Sequence, residues 1–138
     1  MRKLITGATL AIALAGAVWA QEPLTPESGI KTTIQSQIDA FLRDDFAKAF
    51  SFAGPNIRSL FGTPENFGAM VRRGYPMVWR PDTVRFGLLR DINGDLHQTV
   101  IITDADGALH YLDYHMEQVD GDWRIVAVQV LQAPDVAA

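Results

Sequence analysis

The fold is decided by residues 83–132, TVRFGLLRDINGDLHQTVIITDADGALHYLDYHMEQVDGDWRIVAVQVLQ, in which apolar and polar residues alternate. A period of two is typical of β-strands that bury one face. Asparagine or aspartate followed by glycine favours a tight hairpin turn, and this stretch contains Asn93-Gly94, Asp106-Gly107 and Asp120-Gly121. The pattern therefore predicts four antiparallel strands, over residues 83–91, 95–104, 108–118 and 122–132.

The three turns also predict the register of the strands. A three-residue loop prefers glycine in its third position, which suits Ile92-Asn93-Gly94 and Ala105-Asp106-Gly107, whereas Asp120-Gly121 suits a two-residue loop. One face of the sheet then carries the apolar residues Val84, Phe86, Leu88, Val100, Ile102, Leu112, Met116, Trp123 and Ile125. The other face carries Leu89, Ile101, Leu109, Tyr111, Val126, Val128 and Val130. This second set has few charges among it and predicts a homodimer formed through the sheet.

Before residue 82, apolar residues recur at helical spacing. Thr25-Pro26-Glu27 combines an N-cap residue, a first-turn proline and an acid, and predicts a helix start. The inner face of this helix carries Ile30, Ile34, Ile38, Phe41 and Leu42. Asp44-Asp45 and Thr63-Pro64-Glu65 predict two further helix starts, and Tyr75-Pro76 is expected to leave the third helix in extended geometry. Helices followed by an antiparallel meander predict an α+β domain with its helices on one face of the sheet.

The first twenty residues have the layout of a secretory signal peptide. Arg2 and Lys3 form a basic start, an uncharged apolar run follows, and Val18-Trp19-Ala20 fits cleavage after Ala20. The apolar run is about 15 residues, shorter than the ~20 that span a bilayer. We expect export to the periplasm and no membrane attachment after cleavage. Residues 21–29 would be a leader and residues 30–134 a single domain.

Composition and spacing exclude several kinds of site. The chain has 138 residues, no cysteine and a net charge of −4. Disulfides, thiolate metal sites and cysteine nucleophiles are therefore absent, and the acidic balance argues against nucleic acid as a partner. His110 and His115 are five residues apart, so on one strand they face opposite sides and cannot share a metal ion. We predict no metal and no cofactor, and we expect Asp113 and His115 to be solvated on the outer face.

A polar patch interrupts the predicted inner face of the sheet. Gln98 would lie directly opposite Tyr114, and His110 would project toward the core from the same strand as Tyr114. These groups could bond one another, or they could line the floor of a cavity that Tyr75 and Trp79 roof. The five are the candidate ligand-binding residues. His110 could also act as a general acid or base oriented by Tyr114, but no carboxylate accompanies it on that face, so no residue is predicted to be catalytic.

Several short stretches resemble known families. FLRDDFAKAF at 41–50, GTPENF at 62–67 and GDWRI at 121–125 resemble the nuclear transport factor 2-like superfamily. The run GYPMVWRP at 74–81 and the pair Asp113-Tyr114 resemble a narrower bacterial family, domain of unknown function 4864. The resemblance covers nearly the whole mature chain and implies helices packed on a curved antiparallel sheet of four or more strands, with a cone-shaped cavity between them.

Two functions remain open from the sequence. The first is a non-catalytic periplasmic domain that binds a small apolar or amphipathic ligand in its cavity, or a protein partner on its surface. The second is a small lyase or isomerase that uses His110 and Tyr114. The superfamily that the chain resembles includes both kinds, so the resemblance does not choose between them. An apolar face with few polar groups favours binding. A carboxylate beside His110 in the cavity would favour catalysis.

Overall fold

Five helices precede four strands in residues 25–132, the part of the chain that a computed structural model describes. The helices are α1 (Thr25–Leu42), α2 (Phe46–Ser51), α3 (Pro55–Phe61), α4 (Pro64–Gly74) and α5 (Pro76–Trp79). The strands are β1 (Thr83–Ile92), β2 (Asp95–Thr103), β3 (Leu109–Val119) and β4 (Asp122–Leu131). They form one antiparallel sheet in the order β1-β2-β3-β4, which confirms the predicted α+β fold. The predicted signal peptide lies outside the described residues.

Local side-chain caps set the starts of two helices as predicted. The carboxylate of Asp45 accepts a hydrogen bond from the backbone N–H of Lys48 at 3.1 Å and caps α2. The hydroxyl of Thr63 accepts one from the backbone N–H of Asn66 at 3.1 Å and caps α4. Each cap satisfies a backbone donor that the first turn of a helix leaves unpaired.

No helix within the described residues is long and apolar enough to cross a membrane.

Two prolines open short helices that the sequence did not predict. Pro55 follows Gly54, the N-cap residue, and is the first residue of α3. Tyr75-Pro76 was expected to continue in extended geometry, but Pro76 opens the single turn of α5. Proline suits the first helical position because its fixed φ is already helical and its missing N–H would have no partner there. The extended-geometry prediction after α4 is therefore wrong.

The helix-facing side of the sheet packs against α1. Ile30, Ile34 and Ile38 are fully buried and recur every four residues, so they form one stripe along the helix. The sheet contributes Val100, Ile102, Leu112, Met116 and Ile125 to the same core. Full burial of each such aliphatic side chain contributes about 1.5–3 kcal/mol. Leu42, predicted on the same stripe, is 45% exposed where the helix ends.

A β-bulge in β1 exchanges the predicted faces of two leucines. The Asn93-Gly94 turn has two residues rather than three, and both have positive φ, 54° and 92°, as a type I′ hairpin requires. The register then shifts by one residue between Phe86 and Leu89. Because a bulge reverses the faces on one side of it, Leu89 packs against the core and Leu88 is 74% exposed. The predicted placement of both leucines is wrong.

A second bulge, in β4, reverses the predicted faces of two valines. The Asp120-Gly121 turn has two residues, as predicted, but Val126 is an extra residue between the pairs that Ile125 and Ala127 form with β3. Val128 and Val130 therefore lie opposite Tyr114 and Leu112, on the helix-facing side. The prediction that placed these two valines on the outer face is wrong.

The outer face is therefore less apolar than the sequence suggested. Leu89, Val128 and Val130 lie on the other side of the sheet, whereas Ile101 and Tyr111 pair with each other on the outer side. The β2–β3 register agrees with the prediction, since Gln98 lies opposite Tyr114 and Ile102 opposite His110. A homodimer through the sheet stays a prediction, with less apolar surface available to drive it.

A cluster of polar contacts fastens α5 to the end of α1. Asp44 follows α1 with a φ of 57°, in the left-handed region that aspartate tolerates. Its carboxylate accepts hydrogen bonds from Trp79 Nε1 and Arg80 Nη2, both at 2.9 Å. Arg80 Nη1 also donates to the carbonyl of Phe41 at 2.8 Å. The hydrogen bond from Trp79, followed by that from Arg80, lowers the pKa of Asp44 below its usual value.

We predict that Asp44→Asn lowers the melting temperature at neutral pH and that the two proteins converge as the pH falls to about 2. A carboxyl group whose pKa is lower in the folded state stabilises that state above its unfolded pKa. The stabilisation is lost as the pH falls through the folded pKa. Asparagine has nearly the same size and also tolerates the left-handed backbone conformation. The difference in melting temperature between the two proteins therefore measures the contribution of the carboxylate charge. Thermal unfolding across pH measures it, and a difference independent of pH would contradict the account.

Candidate functional site

An apolar cavity of about 320 Å³ lies between the helices and the β3–β4 side of the sheet. This volume is at the lower end of the range for small-molecule sites. Helices α1, α3, α4 and α5 contribute to the wall together with β3 and β4. Aromatic and aliphatic side chains dominate the wall, including Phe41, Phe61, Phe67 and Met70. Within the described residues, no charged side chain lines this cavity.

A cluster of phenylalanines packs together in the helical wall. The ring of Phe67 on α4 lies 5.9 Å from Phe41, 5.2 Å from Phe50 and 5.9 Å from Phe61, measured between centroids. Tilted ring pairs at these separations stabilise one another beyond the area that they bury. Gly68 allows α4 to approach α2, because a Cβ there would lie 2.6 Å from the ring of Phe46. The helical wall is therefore packed around Phe67.

Tyr114 brings an unpaired polar group to this apolar wall. The residue is fully buried, and its hydroxyl has no hydrogen-bond partner among the described residues. Burial raises the pKa of Tyr114 well above its usual value, and the nearby Tyr75 adds a smaller upward contribution. The hydroxyl therefore stays protonated and can donate a hydrogen bond. A buried hydroxyl without a partner costs about 1–3 kcal/mol, and native structures leave few of them.

The other polar residues of the wall are satisfied by the backbone. Gln37, Asn56 and Tyr75 each donate a hydrogen bond to a main-chain carbonyl, over 3.1, 2.8 and 3.2 Å respectively. The bond from Tyr75 reaches the carbonyl of Val128 and ties the α4–α5 junction to β4. Tyr114 thus differs from its polar neighbours in having a side-chain polar group with no hydrogen-bond partner among the described residues.

Two of the five predicted binding residues line the cavity, Tyr75 and Tyr114. Gln98 is fully buried opposite Tyr114, but its Nε2 donates to the carbonyls of Gly87 and Thr99 at 3.0 and 2.9 Å. These hydrogen bonds stabilise the β1 bulge between Phe86 and Leu89. The Oε1 of Gln98 has no hydrogen-bond partner among the described residues, so a bond between Gln98 and Tyr114, one of the two alternatives left open by the sequence, is not formed.

His110 and Trp79 lie outside the wall of the cavity. His110 Nε2 is 2.8 Å from Oδ2 of Asp104 beside the β2–β3 turn. This hydrogen bond is the main cause of a lowered pKa of Asp104. Four residues separate His110 from Tyr114 along β3, which is about 13 Å. His110 thus has a carboxylate partner, but the pair is remote from the cavity. Trp79 bonds Asp44 and does not roof the cavity.

The sequence analysis missed the part of the wall that α3 supplies. Asn56, Ile57, Leu60 and Phe61 all line the cavity, and all belong to this unpredicted helix. Two signals could have found it: a proline directly after a possible N-cap glycine, and apolar residues at spacings of three and four. Seven residues is a short helix, so its periodicity alone is a weak signal.

The cavity wall falls within a region that matches a known protein family. The model of the family described as Domain of unknown function (DUF4864) matches residues 24–138. The protein belongs to the DUF4864 family. The match confirms the narrower of the two resemblances, whereas the nuclear transport factor 2-like relationship stays a prediction. Every described residue of the cavity wall lies within the DUF4864 match. No curated protein matches the chain.

A solved structure is similar to this DUF4864 protein in fold. It is the structure of Aln2 from a Streptomyces species, determined at 1.8 Å. The two are 16% identical, with a TM-score of 0.50 over 84% of this chain and 96% of that chain. At this identity the likeness shows the arrangement of helices and open antiparallel sheet, and nothing about activity.

We predict that Tyr114→Phe and Tyr75→Phe have different effects on stability in ligand-free protein. Tyr114→Phe removes a buried hydroxyl that makes no bond, so the free energy of unfolding should stay unchanged or rise. Tyr75→Phe breaks the bond to the Val128 carbonyl and should lower it by about 1 kcal/mol. Denaturant unfolding of refolded protein measures both. A loss in Tyr114→Phe equal to that in Tyr75→Phe would mean that the Tyr114 hydroxyl has a protein partner.

Proposed function

We propose that this DUF4864 protein is an exported binding domain whose cavity holds a small apolar ligand. The hydroxyl of Tyr114 donates a hydrogen bond to one polar atom of that ligand. The observation that carries the proposal is an unpaired, fully buried phenol in a wall that is otherwise apolar or satisfied. Sites for small molecules commonly combine an apolar lining with a few polar groups that fix orientation.

The chemistry of the wall limits the ligand to a neutral molecule. No charged side chain lines the cavity within the described residues, and an unpaired ion is costly to transfer into such surroundings. Because Tyr114 stays protonated, the ligand's polar atom should be a hydrogen-bond acceptor, such as a carbonyl, ether or hydroxyl oxygen. A volume of about 320 Å³ suits a molecule of a few fused rings or a short acyl chain.

A predicted signal peptide and an exposed entrance to the cavity support the same function. The predicted signal peptide would place the protein in the periplasm. Leu60 on α3 lines the cavity and is 75% exposed, and Asn56 and Ala127 beside it are also exposed. These residues mark the side on which a ligand would enter. Leu60 would then cover the apolar part of the bound molecule.

The alternative of a lyase or isomerase has less support. Its two proposed residues do not share the cavity, because His110 bonds Asp104 beside the β2–β3 turn. The titratable side chains of the described wall are the tyrosines Tyr75 and Tyr114. Acid–base catalysis near neutral pH works best with a group whose pKa is near that pH, and burial moves that of Tyr114 further away.

We predict that Leu60→Ser weakens binding of the neutral apolar fluorophore N-phenyl-1-naphthylamine several-fold. Leu60 is 75% exposed without ligand, so the apolar surface that a bound ligand would cover on it contributes about 1 kcal/mol, and the substitution removes that contact. Leu88→Ser is the matched control, since Leu88 is 74% exposed but lies on β1 outside the cavity wall. Fluorescence titration measures both affinities. Equal losses in the two variants, or no binding by the unmodified protein, would overturn the proposal.

We also expect protein isolated from the periplasm to begin at Gln21 and to carry a small neutral molecule. Native mass spectrometry measures both the intact mass and any co-purifying ligand. An amino terminus at Met1 on the mature cell-associated protein would contradict export. A co-purifying protein instead of a small molecule would favour the surface-binding alternative.

A further inference from the structure

Three metal-ligating side chains converge on the face of the sheet away from the helices. Asp95 begins β2 directly after the Asn93-Gly94 turn. His115 and Glu117 are two residues apart on β3 and so point to the same face. The pairing of Leu96 with Met116 places Asp95 next to Glu117 across the two strands. Hairpin register therefore brings residues from two strands together.

The distances among these groups suit a metal ion better than hydrogen bonds. His115 Nε2 lies 3.7 Å from Asp95 Oδ1 and 3.8 Å from Glu117 Oε2. Both separations exceed the range of a hydrogen bond, which is about 2.7–3.2 Å. Two ligands that each lie about 2.0–2.1 Å from one zinc ion are separated by roughly 3.3–4.1 Å, depending on the angle between them. All three ligand atoms lie within 4.8 Å of one another.

The ring nitrogen that faces the carboxylates is buried and unpaired. His115 Nε2 has no hydrogen-bond partner among the described residues, and the side chain as a whole is 23% exposed. Burying such a nitrogen is unfavourable unless something binds it. Its environment lacks a donor but contains two carboxylates, which a divalent cation would neutralise.

A stacked second imidazole holds His115 in place. The rings of His97 and His115 are 4.6 Å apart between centroids and inclined by 14°. His97 Nδ1 lies 3.1 Å from Asp113 Oδ2, and the other oxygen of Asp113 accepts a hydrogen bond from Arg90. Asp113 is 8% exposed, so the expectation of a solvated Asp113 is wrong. A ligand whose orientation is fixed by neighbours is the usual arrangement in metal sites.

We infer that Asp95, His115 and Glu117 bind a divalent transition-metal ion of the zinc class. The imidazole nitrogen selects such an ion over magnesium or calcium, which prefer all-oxygen ligand sets. His115 and Glu117 also line an open depression beside α3 and β4. The sequence analysis predicted no metal, and it did not place Asp95 or Glu117 beside His115.

The test is titration of the tag-free protein with zinc chloride alone, followed by isothermal calorimetry. The unmodified protein should bind one zinc ion per chain. His115→Ala and Glu117→Gln should each weaken this binding at least about tenfold. His110→Ala is the matched control, because it removes another partly exposed histidine of β3 that pairs with a different carboxylate, and it should leave the affinity unchanged.

Magnesium and calcium titrations provide the check on selectivity, and neither ion should compete with zinc at equal concentration. Glu117→Gln keeps the size of an exposed side chain, so the test holds even if His115→Ala unfolds. Absence of zinc binding in the unmodified protein would overturn the inference. So would an affinity that His110→Ala lowers and Glu117→Gln leaves unchanged.

Discussion

Strands β1 and β4 each contain one residue that their partner strand cannot pair, and the two resulting bulges determine which side chains face the helices. In β1 the bulge turns Leu89 inward, and the amide of Gln98 closes the gap by donating to the carbonyls of Gly87 and Thr99. Glycine suits position 87 because a Cβ there would lie 3.2 Å from the Thr99 side chain, which is closer than ordinary van der Waals contact. Bulges bend and twist the strands that contain them, so these two positions govern how the sheet meets the helices.

The β4 bulge has the more direct consequence for function. It places Val128 opposite Tyr114, and the carbonyl of Val128 then accepts the hydrogen bond of Tyr75. The Ile30–Ile34–Ile38 stripe of α1 is buried in the core, while the cavity near β4 is lined by phenylalanines and by α3. Tyr114 is left between these regions with its hydroxyl unpaired. A hydrogen-bond acceptor on a bound ligand would pair with this hydroxyl and remove the free-energy cost of burying it unpaired. The binding proposal therefore follows from an unsatisfied polar group in the ligand-free core.

Local sequence signals predicted local structure well. Asp45 and Thr63 cap helices as expected, and Asp106-Gly107 and Asp120-Gly121 gave the correct register for β2–β3 and for the start of β3–β4. The β1 bulge escaped prediction because Asn93-Gly94 suits both two- and three-residue loops, and the β4 bulge because Val126 lies beyond a turn that was predicted correctly. A slip of one residue changes the face of every later side chain. The cavity was predicted with two of its residues, but its α3 wall depended on a helix too short to show a clear period. Predicting the Asp95–His115–Glu117 cluster would have required the register of two strands and the conformations of three side chains.

The central claim is that the Tyr114 hydroxyl is unpaired in the protein itself and is satisfied by a bound molecule. A high-resolution crystal structure of protein purified from its native compartment, without any unfolding step, tests this most directly. The account predicts density for a small molecule in the cavity, with a polar atom within about 3 Å of the Tyr114 hydroxyl. A cavity filled by the protein's own side chains, with the Tyr114 hydroxyl bonded to a protein acceptor, would contradict it.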